Sequence, residues 1–501
     1  MSTSTTEKPA TRYSGFRRPR SVGLADTSLP ASLFCLADLV VVILTMSMFP
    51  WWGKLLMGVQ LVVLVGLVVI KNADGVTQWT RVTRRLRYLV FSRTGITMYQ
   101  SPVVGKKPVP GVMSEVVALE YETALGQRFV ILHDPFSQQY TAVLICDPDG
   151  GERYDTRHRE QRTANWGAFG SILGNIPSVA QYAVHVESAP RTQAEDRTLM
   201  ERFIHPDAPE TAQQITRERL AMGVETHAAN TTWITITFNA VEKGTTAKAR
   251  QENALHIAQV LPGLMQQLSI SGAGMTRMAT ERDLAEYVRA AIDPPSRPVI
   301  EDAHAHEEDT GLTWDNCGPG AMDPTWDVLF HNQAWSQTLI MVSAPTGAIT
   351  NDVLKNLMAP HADIPIKRVT LLKQVIHPAR ATSLTSRDLG NAELRAETQR
   401  RSGAARAEAR IAARTSEEYA EGHGLEDFTI IVTVTVEDPD LLARAVDIVR
   451  SHLGHAANLR LKPAFNQQDV LFWAGCPLGL DLWAHSPSEG IERGITAATE
   501  Y

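Results

Sequence analysis

Residues 33–49 read LFCLADLVVVILTMSMF and residues 55–70 read LLMGVQLVVLVGLVVI, with Pro50-Trp51-Trp52-Gly53-Lys54 between them. Each run falls slightly short of the ~20 residues a helix needs to cross a hydrocarbon layer at about 1.5 Å per residue. The Trp pair and the flanking residues extend each run to a workable span. Pro50 and Gly53 break the helix and turn the chain. Trp51 and Trp52 suit the headgroup layer, where an amphipathic ring is stable. The pattern predicts a tight transmembrane hairpin over 31–72. A buried hairpin of a soluble protein is the bland alternative. The near-absence of charge, the Trp anchors and the basic flanks together fit lipid better.

The flanks orient the hairpin. Arg17, Arg18 and Arg20 precede the first run, and Lys71, Arg81, Arg84, Arg85, Arg87 and Arg93 follow the second, whereas the turn holds only Lys54. The charge asymmetry predicts both termini on the cytoplasmic side of the cytoplasmic membrane. Residues 1–30 are expected as a disordered basic tail, and 73–94 as a basic juxtamembrane linker. Within that linker, Trp79 to Tyr88 has the composition to lie along an anionic leaflet. Asp38 interrupts the first run, at a cost of about 2.5–3.5 kcal/mol on insertion scales. It is expected near the interface or facing a partner helix. No secretory signal is legible, because the first apolar run begins only at Leu33.

The remaining chain is ordinary for a globular protein. Of 501 residues, 44% are hydrophobic and 21% charged, which allows a core. The mean hydropathy of −0.13 excludes a polytopic transporter. The net charge of −7 argues against nucleic-acid contact by the chain as a whole. Cys35, Cys146, Cys317 and Cys476 are isolated from one another, so no zinc spacing or CxxC pair exists and a reducing compartment is implied. They read as core residues.

Short β-favouring runs at Gly95 to Tyr99, Val116 to Tyr121, Arg128 to His133 and Gln139 to Asp147 are separated by turn residues. Arg159 to Leu173 reads as a helix and Val179 to Val186 as a strand. A polar helix is predicted over Gln193 to Met222. Trp233 to Ala240 alternates with period two, which predicts a strand with one buried face. Ala247 to Leu268 is helical with a break or kink at Pro262. Thr280 and Asp283 resemble a cap for a helix ending near Ile292. Later, Leu339 to Val342, Ile366 to Val375 and Phe428 to Val436 read as strands. Thr350 to Met358, Thr385 to Tyr419 and Asp440 to Leu453 read as helices. Strands, a helix and a returning strand predict α+β domains of ferredoxin-like type. Their recurrence suggests a duplicated unit, 95–293 and 294–501, although no residue-level repeat is visible.

Catalytic signatures are absent from the sequence. There is no GxxxxGK(S/T) phosphate loop; Gly105-Lys106-Lys107 and Gly244-Thr245-Thr246-Ala247-Lys248 lack the spacing that wraps a phosphate. No GxSxG, HExxH or GxGxxG occurs in context. Glu301, Asp302, His304, His306, Glu307, Glu308 and Asp309 have the donor types for a divalent metal, but a solvated acidic loop explains them more simply. His133-Asp134 reads as a turn after a strand rather than a catalytic pair. Arg387, Arg395, Arg400, Arg401, Arg406, Arg410 and Arg414 are interleaved with Glu393, Glu397 and Glu408, which favours ion pairs on a solvated helix over nucleic-acid contact. No catalytic residue, cofactor or bound metal is expected.

The hairpin, the arginine-rich linker, TGITMYQSP (94–102), LHDPFSQQYTAVLIC (132–146) and WGAFGSIL (166–173) together resemble the actinobacterial conjugation-associated membrane protein family. Members look like a PrgI-type two-helix inner-membrane subunit fused to the N-terminal part of a type IV secretion traffic ATPase. The resemblance implies a non-enzymatic structural component of a conjugative secretion system. It would work as a homo-oligomer beside other inner-membrane subunits, with the ATP-hydrolysing half supplied as a separate traffic ATPase chain. Ala474-Gly475-Cys476-Pro477-Leu478-Gly479 resembles the point where fused ATPases pass into their motor domain. Two further functions are carried forward: a metal-dependent hydrolase using His304 and His306, and a membrane-tethered DNA-binding module.

Overall fold

The computed structural model describes residues 29–45, 50–70, 77–95, 97–102, 105–106, 108–123, 126–148, 150, 154–192, 194–222, 227–342, 345, 349–399, 402–422 and 424–484. The basic tail with Arg17, Arg18 and Arg20 lies outside these residues, as do Lys71, Lys107, Arg400 and Arg401. The chain divides into two compact units, one containing Tyr99–Leu480 and the other Arg18–Met98 with the C-terminal residues. The class is α+β, with helices and an antiparallel sheet.

The smaller unit is helical. Helix α1 spans Leu29–Thr45 and α2 spans Trp51–Val69. A third helix, α3, spans Gln78–Thr94. It lies within the basic juxtamembrane linker expected over 73–94, of which 73–76 fall outside the described residues. Its limits have local reasons: the Thr77 hydroxyl accepts from the Thr80 N–H at its start, and Gly95 supplies the left-handed residue (φ 67°) that ends it.

The larger unit is built on one sheet of 13 strands. Strands β1 (Tyr99–Gln100), β2 (Val117–Glu122), β3 (Arg128–Asp134) and β4 (Gln139–Asp147) come first. Then follow α4 (Thr156–Gly174), β5 (Val179–Arg191), α5 (Ala194–Arg202), α6 (Glu210–Met222), β6 (His227–Asn239), α7 (Ala247–Leu268), β7 (Met275–Met278), α8 (Glu281–Ile292) and α9 (Arg297–Ala305). The second half runs β8 (Ala321–Pro324), β9 (Leu329–His331), β10 (Ala334–Met341), α10 (Lys355–Met358), β11 (Ile366–Ile376), α11 (Pro378–Thr398) and α12 (Gly403–Ala420). It closes with β12 (Leu425–Val436), α13 (Pro439–Asp447), α14 (Gly454–Ala456), β13 (Leu461–Pro463) and α15 (Gln468–Gly475).

The two halves repeat one arrangement. In the first, β7 pairs β4, β4 pairs β6 and β6 pairs β5, all antiparallel. In the second, β13 pairs β10, β10 pairs β12 and β12 pairs β11, again all antiparallel. Both place a helix pair between the inner strands, α5–α6 or α11–α12. Both follow the next helix with a π-turn, Ser269–Ala273 or Ile448–Leu453. The backbone agrees in detail: Ala279 N–H donates to Val143 O, and Ala464 N–H donates to Thr338 O.

The boundary expected at 294 is not a boundary of packing. β5 and β11 pair antiparallel from Lys367↔Ser188 to Gln374↔Gln181, so the two half-sheets become one. Other departures have local causes. The long polar helix over 193–222 is two helices, split at Pro206 and Pro209. The predicted helix over 385–419 is likewise two, with Ser402 capping the second. Only Lys355–Met358 is helical in 350–358, whereas α7 runs unbroken through Pro262.

The two faces of the sheet differ in chemistry. One is aliphatic and aromatic: Ile131, Tyr140, Leu144, Tyr182, Ile234, Ile236 and Phe238 pack under α4 and α7. Leu339, Val369, Val432 and Val434 pack under α13. The other face is rich in threonine. Only one buried face was expected for Trp233 to Ala240, yet Thr235 and Thr237 are 0% and 1% exposed. The C-terminal segment lies over them. Gly479 O accepts from Gln181 Nε2 (2.9 Å) and Thr237 Oγ1 (3.1 Å), and Gly475 O accepts from Thr370 Oγ1 (2.8 Å). The approach is so close that a Cβ on Gly479 would stand 2.2 Å from Thr141 Oγ1.

An ion pair sits on the threonine face where the halves meet. Glu187 and Arg368 are opposite each other on β5 and β11, and are 1% and 2% exposed. Arg368 donates to Glu187 Oε2 from Nε (3.0 Å) and Nη2 (2.8 Å). Tyr287 of α8 donates to the same oxygen (3.0 Å), and Arg297 of α9 donates to Oε1. Burial opposes the charge on Glu187, but the two guanidiniums hold its carboxyl down at about 2. Removing the carboxylate by Glu187→Ala leaves two cations without a counter-charge. The expected cost is about 3–5 kcal/mol, read as a lower urea midpoint for the sheet unit of the detergent-solubilised chain. A loss under about 1 kcal/mol would contradict this account.

Two buried histidines make the same core acid-labile. Burial lowers His185 to about 3, with the Gly475 carbonyl opposing and Arg368 adding to the effect. Burial lowers His331 to about 4. Both are neutral in the fold and bind protons more readily once unfolded. Their contribution is complete above about pH 6.5 and is lost as pH falls toward 4 and 3. Between pH 6 and 4.5, stability should drop by roughly 2–3 kcal/mol per pH unit from this pair. Urea titrations across that range test it, and His331→Gln should remove about half of the slope.

Candidate membrane-anchoring site

Apolar residues dominate α1 and α2, and among the described residues most of them are left uncovered. Leu33, Leu36, Val40, Ile43 and Leu44 of α1 are exposed, as are Leu55, Leu56, Val59, Val62 and Val63 of α2. Among the described residues one helix is long and apolar enough to cross a membrane, Trp51–Val68; α1 carries the shorter apolar stretch Leu33–Leu44. Trp51 and Trp52 are exposed at the start of α2, directly after Pro50. Lys54 N–H donates to Pro50 O, which closes the first turn.

Asp38 is answered inside the hairpin. Gln60 of α2 donates from Nε2 to Asp38 Oδ1 at 3.2 Å, while Oδ2 is shielded and makes no hydrogen bond. Asp38 of α1 thus faces α2. Gln60 was missed from the sequence; it is the one strongly polar residue of 55–70, and that was the available signal.

α3 joins the same unit. Its Trp79 ring stacks on Phe34 of α1, with centroids 5.0 Å apart. Gln78 N–H donates to Ile70 O at the end of α2. Arg85 and Arg87 are exposed and Arg84 is half-buried, its guanidinium lowered from its usual range by desolvation.

In the sheet unit the groups weighed for chemistry have structural partners. Glu286 accepts from Arg282 Nε (2.8 Å), Thr310 Oγ1 (2.7 Å) and a ring nitrogen of His304 (2.8 Å). Glu301 accepts from Thr192 N (2.7 Å) and Oγ1 (2.6 Å), and Glu307 from Arg202 (2.8 Å). His306 bonds the Asp302 carbonyl (2.8 Å). Among the described residues no group of three or more His, Cys, Asp and Glu is placed to hold a metal ion.

His133 and Asp134 point to different tasks. Asp134 accepts from Phe136 N and Ser137 Oγ in the hairpin turn, while His133 is buried against the Tyr140 ring at 4.4 Å. Burial, then the nearby Arg250 charge, lowers His133. Gly244 N–H is held by Gln138 Oε1, and Thr246 caps α7. In α11 and α12, Arg414 pairs with Glu418 (2.8 Å) and Arg395 with Glu408 (4.0 Å). Cys146, Cys317 and Cys476 are buried, and burial pushes their thiols up to about 12, 12 and 11.

No family model matches the chain, and no curated protein matches it.

The Asp38–Gln60 bond makes a measurable claim. In bilayer-mimetic micelles, Asp38→Ala and Gln60→Ala should be non-additive, with a coupling of about 0.6–1.7 kcal/mol between them. The readout is hairpin opening followed by energy transfer between labels on α1 and α2. Simple additivity would show that the bond carries no stability.

Proposed function

We propose that this chain is a membrane-anchored structural component of a conjugative type IV secretion system, which docks a separate traffic ATPase to the inner-membrane complex. One observation carries the anchoring half of the reading: two adjoining apolar helices whose side chains remain exposed over most of their length. Exposed apolar surface on this scale costs free energy in water and none in lipid. Trp51 and Trp52 at the turn suit one interface, and the basic residues on either side of the hairpin suit the cytoplasmic face. Both termini are then cytoplasmic.

The docking half rests on the family resemblance and on the sheet unit. The pairing orders β7–β4–β6–β5 and β13–β10–β12–β11 support reading the body as two ferredoxin-like units, each with a helix pair inserted between its second and third strands. The resemblance places such a body beside a motor domain. Here the segment 474–479 is engaged by Gln181, Thr237 and Thr370, and in this reading the traffic ATPase that the body docks is a separate chain.

The test is biochemical. The detergent-solubilised chain should co-elute with the phosphate-loop ATPase encoded beside it, and should resist alkaline carbonate extraction from membranes. Two folded proteins that elute apart would overturn the docking half. Release of the chain by carbonate would overturn the anchoring half.

A further inference from the structure

The strongest unexplained feature is the face that α3 leaves bare. Winding Gln78–Thr94 at 3.6 residues per turn brings Val82, Leu86, Leu89 and Val90 onto one stripe. All four are exposed, although each is aliphatic. Arg81, Arg84, Arg85 and Arg87 lie off the stripe, Arg93 ends it in the last turn, and residues 77–95 contain no Asp or Glu. α3 is therefore a cationic amphipathic helix with an uncovered apolar face.

Two contacts tie that face to the hairpin. Trp79, at the head of the stripe, stacks on Phe34, and Gln78 N–H bonds Ile70 O. The stripe thus begins at the end of the apolar surface of α1 and α2. An apolar stripe continuous with a lipid-facing hairpin, and flanked by arginines on a helix that itself carries no acid, is complementary to a layer with hydrocarbon below and negative charge above. A protein partner would need to match both the stripe and the cation density. An anionic leaflet supplies both at every point.

We infer that α3 lies in the plane of the membrane surface, with Val82, Leu86, Leu89 and Val90 sunk among acyl chains and its arginines on the phosphates of anionic phospholipids. The inference rests on the membrane reading of the hairpin. The chain then has two kinds of membrane contact. The hairpin partitions into any bilayer, and α3 adds a dependence on lipid charge.

The experiment uses the full chain with Cys35→Ser, in nanodiscs of phosphatidylcholine alone or with phosphatidylglycerol. Spin labels are attached at Val82→Cys, Leu86→Cys or Leu89→Cys on the stripe, at Arg81→Cys or Tyr88→Cys on the opposite side, and at Val63→Cys in α2. With phosphatidylglycerol, the stripe labels should meet oxygen and be shielded from an aqueous nickel chelate, and the opposite labels should show the reverse. Without it, the contrast should shrink. Replacing Arg84, Arg85 and Arg87 by Gln should weaken the anionic-lipid-dependent part about fivefold per arginine. Equal accessibility on both sides of α3, or stripe labels shielded from both reagents, overturns the inference while a buried Val63 label leaves the hairpin reading standing. A Val63 label reached by nickel overturns both.

Discussion

The larger unit depends on a charge pair where two half-sheets join. Glu187 and Arg368 face each other across β5 and β11, deep in the threonine-rich face. Water cannot solvate either group there, so each needs the other. The geometry also fixes register. A slip of β11 by one residue would carry Arg368 to the aliphatic face and put Lys367 or Val369 opposite the carboxylate. Tyr287 and Arg297 complete the hydrogen bonds of Glu187, which ties α8 and α9 to the seam.

The covering of that seam follows from the same constraint. Threonine, glutamine and histidine side chains on the inner strands need partners once buried. Backbone carbonyls of the C-terminal segment provide them: Gly475 O for Thr370 and His185, and Gly479 O for Gln181 and Thr237. Only glycine permits the approach at 479, both because its φ is +69° and because a Cβ would strike Thr141.

The helical unit obeys a different solvent rule. Many of its apolar side chains are left outward, and Asp38 within α1 finds a donor in Gln60. A polar pair of this kind holds two helices together most effectively where water is scarce. Together with α3, the unit has a graded surface, from wholly apolar to apolar-and-cationic. That gradation supports the membrane reading more than any single helix does.

Much of this was legible along the chain. The limits of β4 and α7, the Thr280–Asp283 cap of α8 and the alternation in β6 follow from local rules: period two or 3.6, capping chemistry and turn residues. The apolar runs of α1 and α2 follow from composition alone. What the sequence could not decide was set by contacts distant along the chain. Continuity of the sheet across 294 depends on β5 meeting β11, some 180 residues apart in sequence, as the Glu187–Arg368 separation of 181 records. The burial of both faces of β6 depends on a segment more than 200 residues later, as the Thr237–Gly479 separation of 242 shows. Asp38 looked like a blemish because its donor, Gln60, lay on the next helix, 22 residues on. Local chemistry therefore determined which elements form, and only tertiary packing decided which polar groups were to be buried together, because hydrogen bonds and charge pairs act over a few ångströms in space whatever the distance along the chain.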